Sequence, residues 1–159
     1  MDYETLVLIM RRLALEAGDR IMQIYEADDF EVKTKSDSSP VTEADEAADA
    51  VISAGLRAAF PNVALVTEEQ SATHVVTGNT FLIVDPLDGT KEFVKRNDEF
   101  TVNIALVKEN KPVMGVIYVP VFRQLYFAAK DFGAFLMTLD SDIDFSQKSL
   151  DQIVERSRR

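Results

Sequence analysis

The sequence predicts an α+β fold, with two helices packed on one face of a mostly antiparallel sheet. Three observations lead there. Apolar residues recur at three- and four-residue steps over two N-terminal segments. From residue 63 onward the period shortens to that of strands, in runs broken by turn-forming residues. Helices first and strands afterwards favour segregated layers over alternating βαβ units.

The elements follow in order. Residues 3–26 form the first predicted helix, with Leu6, Ile9, Leu13, Ala17, Ile21 and Ile24 along one face. Residues 28–40 are polar, with Lys33, Lys35 and a Ser-Asp-Ser-Ser-Pro cluster, and read as a loop holding a short strand around Phe30 to Val32. A second helix starts near Thr42. Thr42 and Asp45 have capping-box spacing, with Asp where Glu is more usual. Ala48, Val51, Ile52, Leu56 and Ala59 supply its apolar face, and Pro61 ends it. Two short apolar runs follow: Val63 to Thr67, ending in Glu68-Glu69, and Phe81 to Val84, ending in Asp85. Residues 101–107, 113–119 and 124–128 then predict a three-stranded antiparallel meander. Residues 136–159 turn acidic and then basic, and predict little order beyond a short helix over 149–156 with Leu150, Ile153 and Val154 on one side.

At 159 residues one domain is the default, and a hydrophobic core is affordable. The absence of cysteine excludes disulfides, thiolate metal sites and cysteine nucleophiles. One histidine, His74, cannot build a histidine-rich zinc site; it reads as an exposed loop residue without a role. No apolar run reaches membrane-spanning length, and the start Met-Asp-Tyr-Glu lacks a signal-type core, so a cytoplasmic location is expected. A formal charge of −10 repels polyanions, which argues against a nucleic-acid polymer as partner. A small phosphorylated molecule stays compatible if metal ions or aimed backbone N–H groups bridge to it.

The stretch Leu-Ile-Val-Asp85-Pro-Leu-Asp88-Gly-Thr-Lys poses the central question. Asp88-Gly89 between apolar runs is a hairpin-turn signal. Two carboxylates at a strand end, with Glu68 at the end of a second strand, are also a hard oxygen ligand set suited to Mg²⁺. Local pattern divides evenly between these readings. Pro86 disfavours a central ladder position, and Gly89-Thr90 suits the start of a helix whose N–H groups would face an anion. Lys91, Lys95 and Arg96 are the nearest positive charges. Asp140-Ser-Asp-Ile-Asp mimics a calcium loop, but Phe145 stands where glycine is needed and Asp151 where a bidentate Glu is needed.

Taken together, Thr42-Glu-Ala-Asp45, Thr67-Glu68-Glu69 and Asp85-Pro-Leu-Asp88-Gly-Thr90 resemble the lithium-sensitive, magnesium-dependent phosphomonoesterases of the inositol monophosphatase superfamily. Lys91-Glu92-Phe93 and "NDEFTVNIALV" resemble its 3′(2′),5′-bisphosphate nucleotidase branch of the bacterial CysQ type. The resemblance runs from about residue 4 to Phe135. It implies a metal-binding, sugar phosphatase-like N-terminal domain over 1–135, followed by a tail over 136–159 without family resemblance. Glu68, Asp85 and the Leu87 carbonyl would hold one Mg²⁺, and Asp85 and Asp88 a second. Leu87, Asp88, Gly89 and Thr90 would receive the phosphate. Asp45, Glu68 and Thr90 would be the catalytic residues, with Thr90 and Asp45 positioning the attacking water. Two metals ~3.5–4 Å apart would neutralise the ester and stabilise its leaving oxygen.

The implied reaction is Mg²⁺-dependent removal of the 3′-phosphate of adenosine 3′,5′-bisphosphate, giving AMP. The alternatives are an inositol or sugar phosphatase, or an inactive chain with residual metal binding. Family members continue for roughly another hundred residues, with a Trp-Asp motif completing the second metal site. This sequence has no tryptophan. The expectations are a missing C-terminal domain, a weak second Mg²⁺, impaired activity, and a surface left uncovered for a homo-oligomer.

Overall fold

A computed structural model describes residues 2–37, 40–75 and 78–141, with the Pro40 side chain left aside. The predicted helix over 149–156 and most of the calcium-loop mimic lie outside the described residues.

Helix α1 (Tyr3–Tyr25) is capped by Asp2, whose carboxylate accepts the Glu4 N–H at 3.0 Å. Helix α2 (Glu43–Ala59) begins at the predicted capping box, with the Thr42 hydroxyl and the Asp45 carboxylate each satisfying the other's backbone N–H. Between the helices, β1 (Val32–Thr34) pairs antiparallel with β2 (Pro40–Thr42). The expected strand at residues 30–32 therefore sits two residues later, because its partner is the segment leading into the α2 cap.

The main sheet holds β3 (Ala64–Thr67), β4 (Thr80–Asp88), β5 (Thr101–Lys108), β6 (Lys111–Val119), β7 (Gln124–Ala129) and β8 (Gly133–Thr138), in that spatial order. Only β3–β4 is parallel. A 3-10 turn (Ser71–His74) follows β3, and α3 (Thr90–Val94) lies between β4 and β5. The sheet thus gains a sixth strand the sequence did not announce. β8 runs to Thr138 and Leu139 beyond it is buried, so the expected boundary after Phe135 falls inside a strand. Pairing with β7 orders residues whose own pattern is uninformative.

Both long helices pack on one face. Leu82 and Val84, then Val102, Ile104 and Leu106, then Met114, Val116 and Tyr118 point inward against Leu6, Met10, Leu13, Ile21, Ile52 and Leu56. α1 approaches closely at Gly18, where an added Cβ would fall 2.2 Å from the Tyr118 ring. The opposite sheet face has no helix over it among the described residues. Ile83, Ile117, Tyr126 and Leu136 stand there at 41, 46, 40 and 54 % exposure, where an ordinary solvated sheet face would alternate to polar residues. No helix among the described residues is long and apolar enough to cross a membrane.

Candidate active site

The site forms where β3 and β4 end side by side. Their parallel register pairs Thr67 with Val84, and the Glu68 N–H bonds the Val84 carbonyl at 3.1 Å, so Glu68 and Asp85 leave adjacent strands together. β4 does not stop at Asp85, as the apolar run suggested. It continues through Asp88 across a bulge: Asp85 pairs with Asn103, and Asp88 pairs with Thr101. Three positions on β4 are thus spanned by two on β5. In a regular strand residues three apart face opposite sides; one extra residue returns both aspartates to the same side. Pro86 sits inside this irregularity, where a missing N–H does least harm.

The hairpin reading of Asp88-Gly89 is overturned, because α3 intervenes before β5. Gly89 caps that helix at φ +98°, a backbone state that favours glycine. α3 is anchored by Phe93, which packs against Tyr25, Phe30 and Phe100 at centroid distances of 4.9–5.2 Å. Arg96 belongs to this anchor rather than to the site. Its guanidinium lies over Phe30 and bonds the carbonyls of Tyr25 and Ala27.

Thr90 opens α3, and its hydroxyl donates to Asp45 at 2.8 Å, with the Leu87 carbonyl at 3.3 Å. Asp45 is fully buried. Its other oxygen accepts the Thr42 N–H at 2.8 Å and the Thr42 hydroxyl at 2.6 Å. It therefore stands one layer behind the cleft and reaches it through Thr90. The cleft itself, about 230 Å³, is lined by Glu68, Asp85, Leu87, Asp88, Gly89 and Thr90, with Lys35, Lys91 and Glu92 at its rim. Seven of the sequence-named positions thus lie together, six on the wall and Asp45 behind it. Lys95 does not line the cleft. His74 is exposed, as expected, but its Nε2 contacts the Thr67 carbonyl at 2.8 Å and helps fix the β3 end.

Two residues were not singled out. Lys35 places its ammonium 3.3 Å from Glu68 and 2.9 Å from Glu69. Asn103 donates to Asp88 at 3.0 Å. A lysine in a polar loop and an asparagine in an alternating strand carry no local signal. Only the fold brings them to the carboxylates.

The electrostatics favour a cation. Burial pushes the Asp85 carboxyl up to about 8, and a hydrogen bond and charge from Glu68 add to this, followed by the charges of Asp88 and Glu69. Asp85 Oδ1 is buried with no protein partner. Burial also raises Glu69, against the opposing pull of Lys35. Burial would lower Lys35, yet the Glu69 and Glu68 carboxylates hold it above its usual value. Among the described residues no three acidic, histidine or cysteine side chains form a ready-made metal cage. Glu68 leans to Lys35 and Asp88 to Asn103. A Mg²⁺ site normally uses one or two carboxylates completed by carbonyl, water and phosphate oxygens, so such a cage is not required. The orphaned Asp85 oxygen, the Leu87 carbonyl and an ammonium already seated at Glu68 fit a divalent cation.

The comparisons with known proteins point the same way. The inositol monophosphatase family pattern matches residues 2–157. The 3′(2′),5′-bisphosphate nucleotidase CysQ of Salmonella typhimurium is 51 % identical over 122 residues, 75 % of this chain and 50 % of that protein. Among solved structures, CysQ from Bacteroides thetaiotaomicron superposes with a TM-score of 0.71 at 39 % identity, covering 96 % of this chain and 56 % of that one. The extragenic suppressor protein suhB of Bartonella henselae gives 0.74 at 32 % identity, covering 83 % and 52 %. The chain spans about half the length of the curated relatives it matches.

Proposed function

The chain belongs to the inositol monophosphatase family, and on that premise we propose that its site hydrolyses a phosphate monoester with the help of Mg²⁺. The β4 bulge carries the reading: it sets Asp85 and Asp88 on one side, next to Glu68 and in front of the Thr90–Asp45 pair. Glu68, Asp85, Asp88 and the Leu87 carbonyl would hold the cation. When bound, it supplies positive charge at the phosphoryl oxygens and lowers the proton affinity of water.

The chain's own groups do the rest. Gly89 and Thr90 offer backbone N–H groups to the phosphate. Asp45 takes the Thr90 proton in a hydrogen bond, so a lone pair of the hydroxyl is directed at the cleft to hold the attacking water. Glu68 orients that water from the other side. Water adds to phosphorus, the ester oxygen leaves with a proton, and an alcohol and inorganic phosphate result.

Adenosine 3′,5′-bisphosphate is the proposed substrate, with AMP as product, supported by the likeness to CysQ nucleotidases. A cleft of about 230 Å³ is smaller than the ~300–1,000 Å³ typical of small-molecule pockets. The described residues therefore grip the phosphate end and leave the nucleoside largely open, so low turnover and weak substrate discrimination are expected. The test is phosphate release by the purified 159-residue chain from adenosine 3′,5′-bisphosphate and from inositol monophosphate, with and without Mg²⁺. Mg²⁺-dependent release that disappears in Asp88→Asn supports the reading. Release indifferent to Mg²⁺ or to that substitution overturns it.

The uncovered sheet face supports a second copy as partner. Asn103, Ile117, Tyr126 and Leu136 lie in one cross-strand row continuing from Asp85. Sedimentation should show self-association that Ile117→Lys reverses, since a buried lysine on an apolar face is costly. A wild-type chain that stays monomeric at high micromolar concentration removes the proposal.

A further inference from the structure

We propose that Asp49 is a positioning residue for the cation-binding end of the site: it pins Thr67, and through Thr67 the backbone that carries Glu68. The inference rests on the reading that Glu68 and Asp85 hold a divalent cation.

Asp49 lies one turn beyond Asp45 on α2, so the two carboxylates share a helix face. Their surroundings run parallel. Asp45 accepts from the hydroxyl of Thr90, at the start of α3. Asp49, 6 % exposed, accepts from the hydroxyl of Thr67, which is fully buried and ends β3 immediately before Glu68. One helix thereby holds both edges of the cleft through a carboxylate–threonine pair on each side.

The Asp49 carboxylate is fully committed to this region. The oxygen that receives Thr67 also accepts Ser53 Oγ at 3.2 Å, and the other accepts Gln70 Nε2 at 2.7 Å. Thr67 is held from its backbone as well, its N–H bonding Thr73 Oγ1 at 3.0 Å.

A carboxylate is a costly way to join a helix to a strand. Removing it from water exacts a penalty that an apolar pair would avoid. What it adds is direction, since hydrogen bonds set the Thr67 rotamer and the angle at which the chain leaves the strand. Glu68 needs that help. Its side chain is 48 % exposed and gains little placement from packing, so its position beside Asp85 depends on the backbone before it.

The test is calorimetric titration of Mg²⁺ into the folded 159-residue chain and its variants. Asp49→Ala and Thr67→Val should each weaken Mg²⁺ binding about tenfold, the low end for residues that support metal ligands. The double variant should be no weaker than either single one, because both act through one contact. Asp49→Asn keeps an acceptor oxygen for Thr67 and should restore most of the affinity. Ser53→Ala removes a hydrogen bond to Asp49 and one from Gln70 Nε2, but none to β3. It should lower stability while leaving Mg²⁺ affinity within about twofold of wild type.

Unchanged affinity in folded Asp49→Ala or Thr67→Val overturns the inference alone. Equal weakening by Ser53→Ala reduces Asp49 to a stabilising residue and overturns it too. If Asp49→Ala does not fold, Thr67→Val, which keeps the side-chain shape, carries the test. No Mg²⁺ binding by the wild-type chain overturns the underlying reading of the site, and the inference with it.

Discussion

Asp85→Asn should make the cation-free chain more stable at pH 8 and abolish its stabilisation by Mg²⁺. The folded Asp85 carboxyl is raised from an ordinary value of 3.8 to about 8. Between those two values the unfolded chain has lost the proton and the folded chain keeps it. The folded state then binds more protons, so stability falls as pH rises through this window and levels off above pH 8. Burial is the first cause and Glu68 the second, so the effect must be discounted for solvent access and for the shared titration of the two carboxylates. A penalty on the order of 2 kcal/mol remains, about 5 °C in Tm for a domain of this size. Asparagine keeps the shape and carries no charge. Its thermal midpoint should exceed wild type at pH 8 by roughly that amount and match it near pH 4.

Mg²⁺ should reverse the sign of the wild-type effect. Held by Asp85, it would neutralise the carboxylate and would have to displace the proton below pH 8, so its affinity should fall as pH is lowered. Thermal melts at pH 4, 6 and 8, with and without Mg²⁺, decide the matter. An asparagine variant that still gains stability from Mg²⁺ would show that Asp85 is not the cation's ligand, and one less stable than wild type at pH 8 without Mg²⁺ would show that the buried carboxylate does not destabilise the fold.

Gly89→Ala should cost on the order of 3 kcal/mol and abolish phosphate release. The glycine holds φ at +98°, which penalises any side chain by about 1–2 kcal/mol. Space adds to this, because a Cβ there would lie 2.5 Å from the Glu99 carbonyl oxygen and 3.2 Å from Phe100 Cα. Both are backbone atoms on the segment entering β5, and they cannot yield as a flexible side chain could. Relief would shift Asp88 on one side and Thr90 on the other, which are the cleft's own groups. Gly78 is the comparison. Its φ is +109°, yet nothing lies within 4 Å of its added Cβ. Gly78→Ala should therefore lose only the backbone part, about 1 kcal/mol, with phosphate release kept. Equal losses from the two substitutions would mean that backbone strain alone accounts for Gly89.

The two glycines also show how far a sequence reaches. Asp88-Gly89 reads as a turn in either case, but neighbouring residues alone could not decide between a hairpin and a helix cap. The decision came from Phe93, drawn into an aromatic cluster with the nearby Phe100 and with Tyr25 and Phe30, which are distant in sequence. Elements governed by near neighbours were legible at once. The apolar steps of α1 and α2, the Thr42–Asp45 cap and the alternation of β5 each depend on residues a few positions apart.

Much of the candidate site could likewise be named from residue order, because Glu68 and Asp85 each follow an apolar run and Asp88 and Thr90 flank the glycine just beyond. Their arrangement could not. That the two aspartates face one side depends on a bulge, which exists only once β4 is paired with β5. Lys35 and Asn103 reach the carboxylates, and Asp49 reaches Thr67, across 33, 15 and 18 residues of chain. β8 is a strand because β7 offers it an edge, and Arg96 is an anchor because two aromatic rings and two carbonyls meet it. The sequence alone marked the two long helices, the cap of α2 and five of the six strands of the main sheet, since backbone sterics and apolar period act over one or two turns. Tertiary structure alone decided register, bulge and the partners of each buried charge, since these are set by contacts between segments that find each other only when the chain is folded.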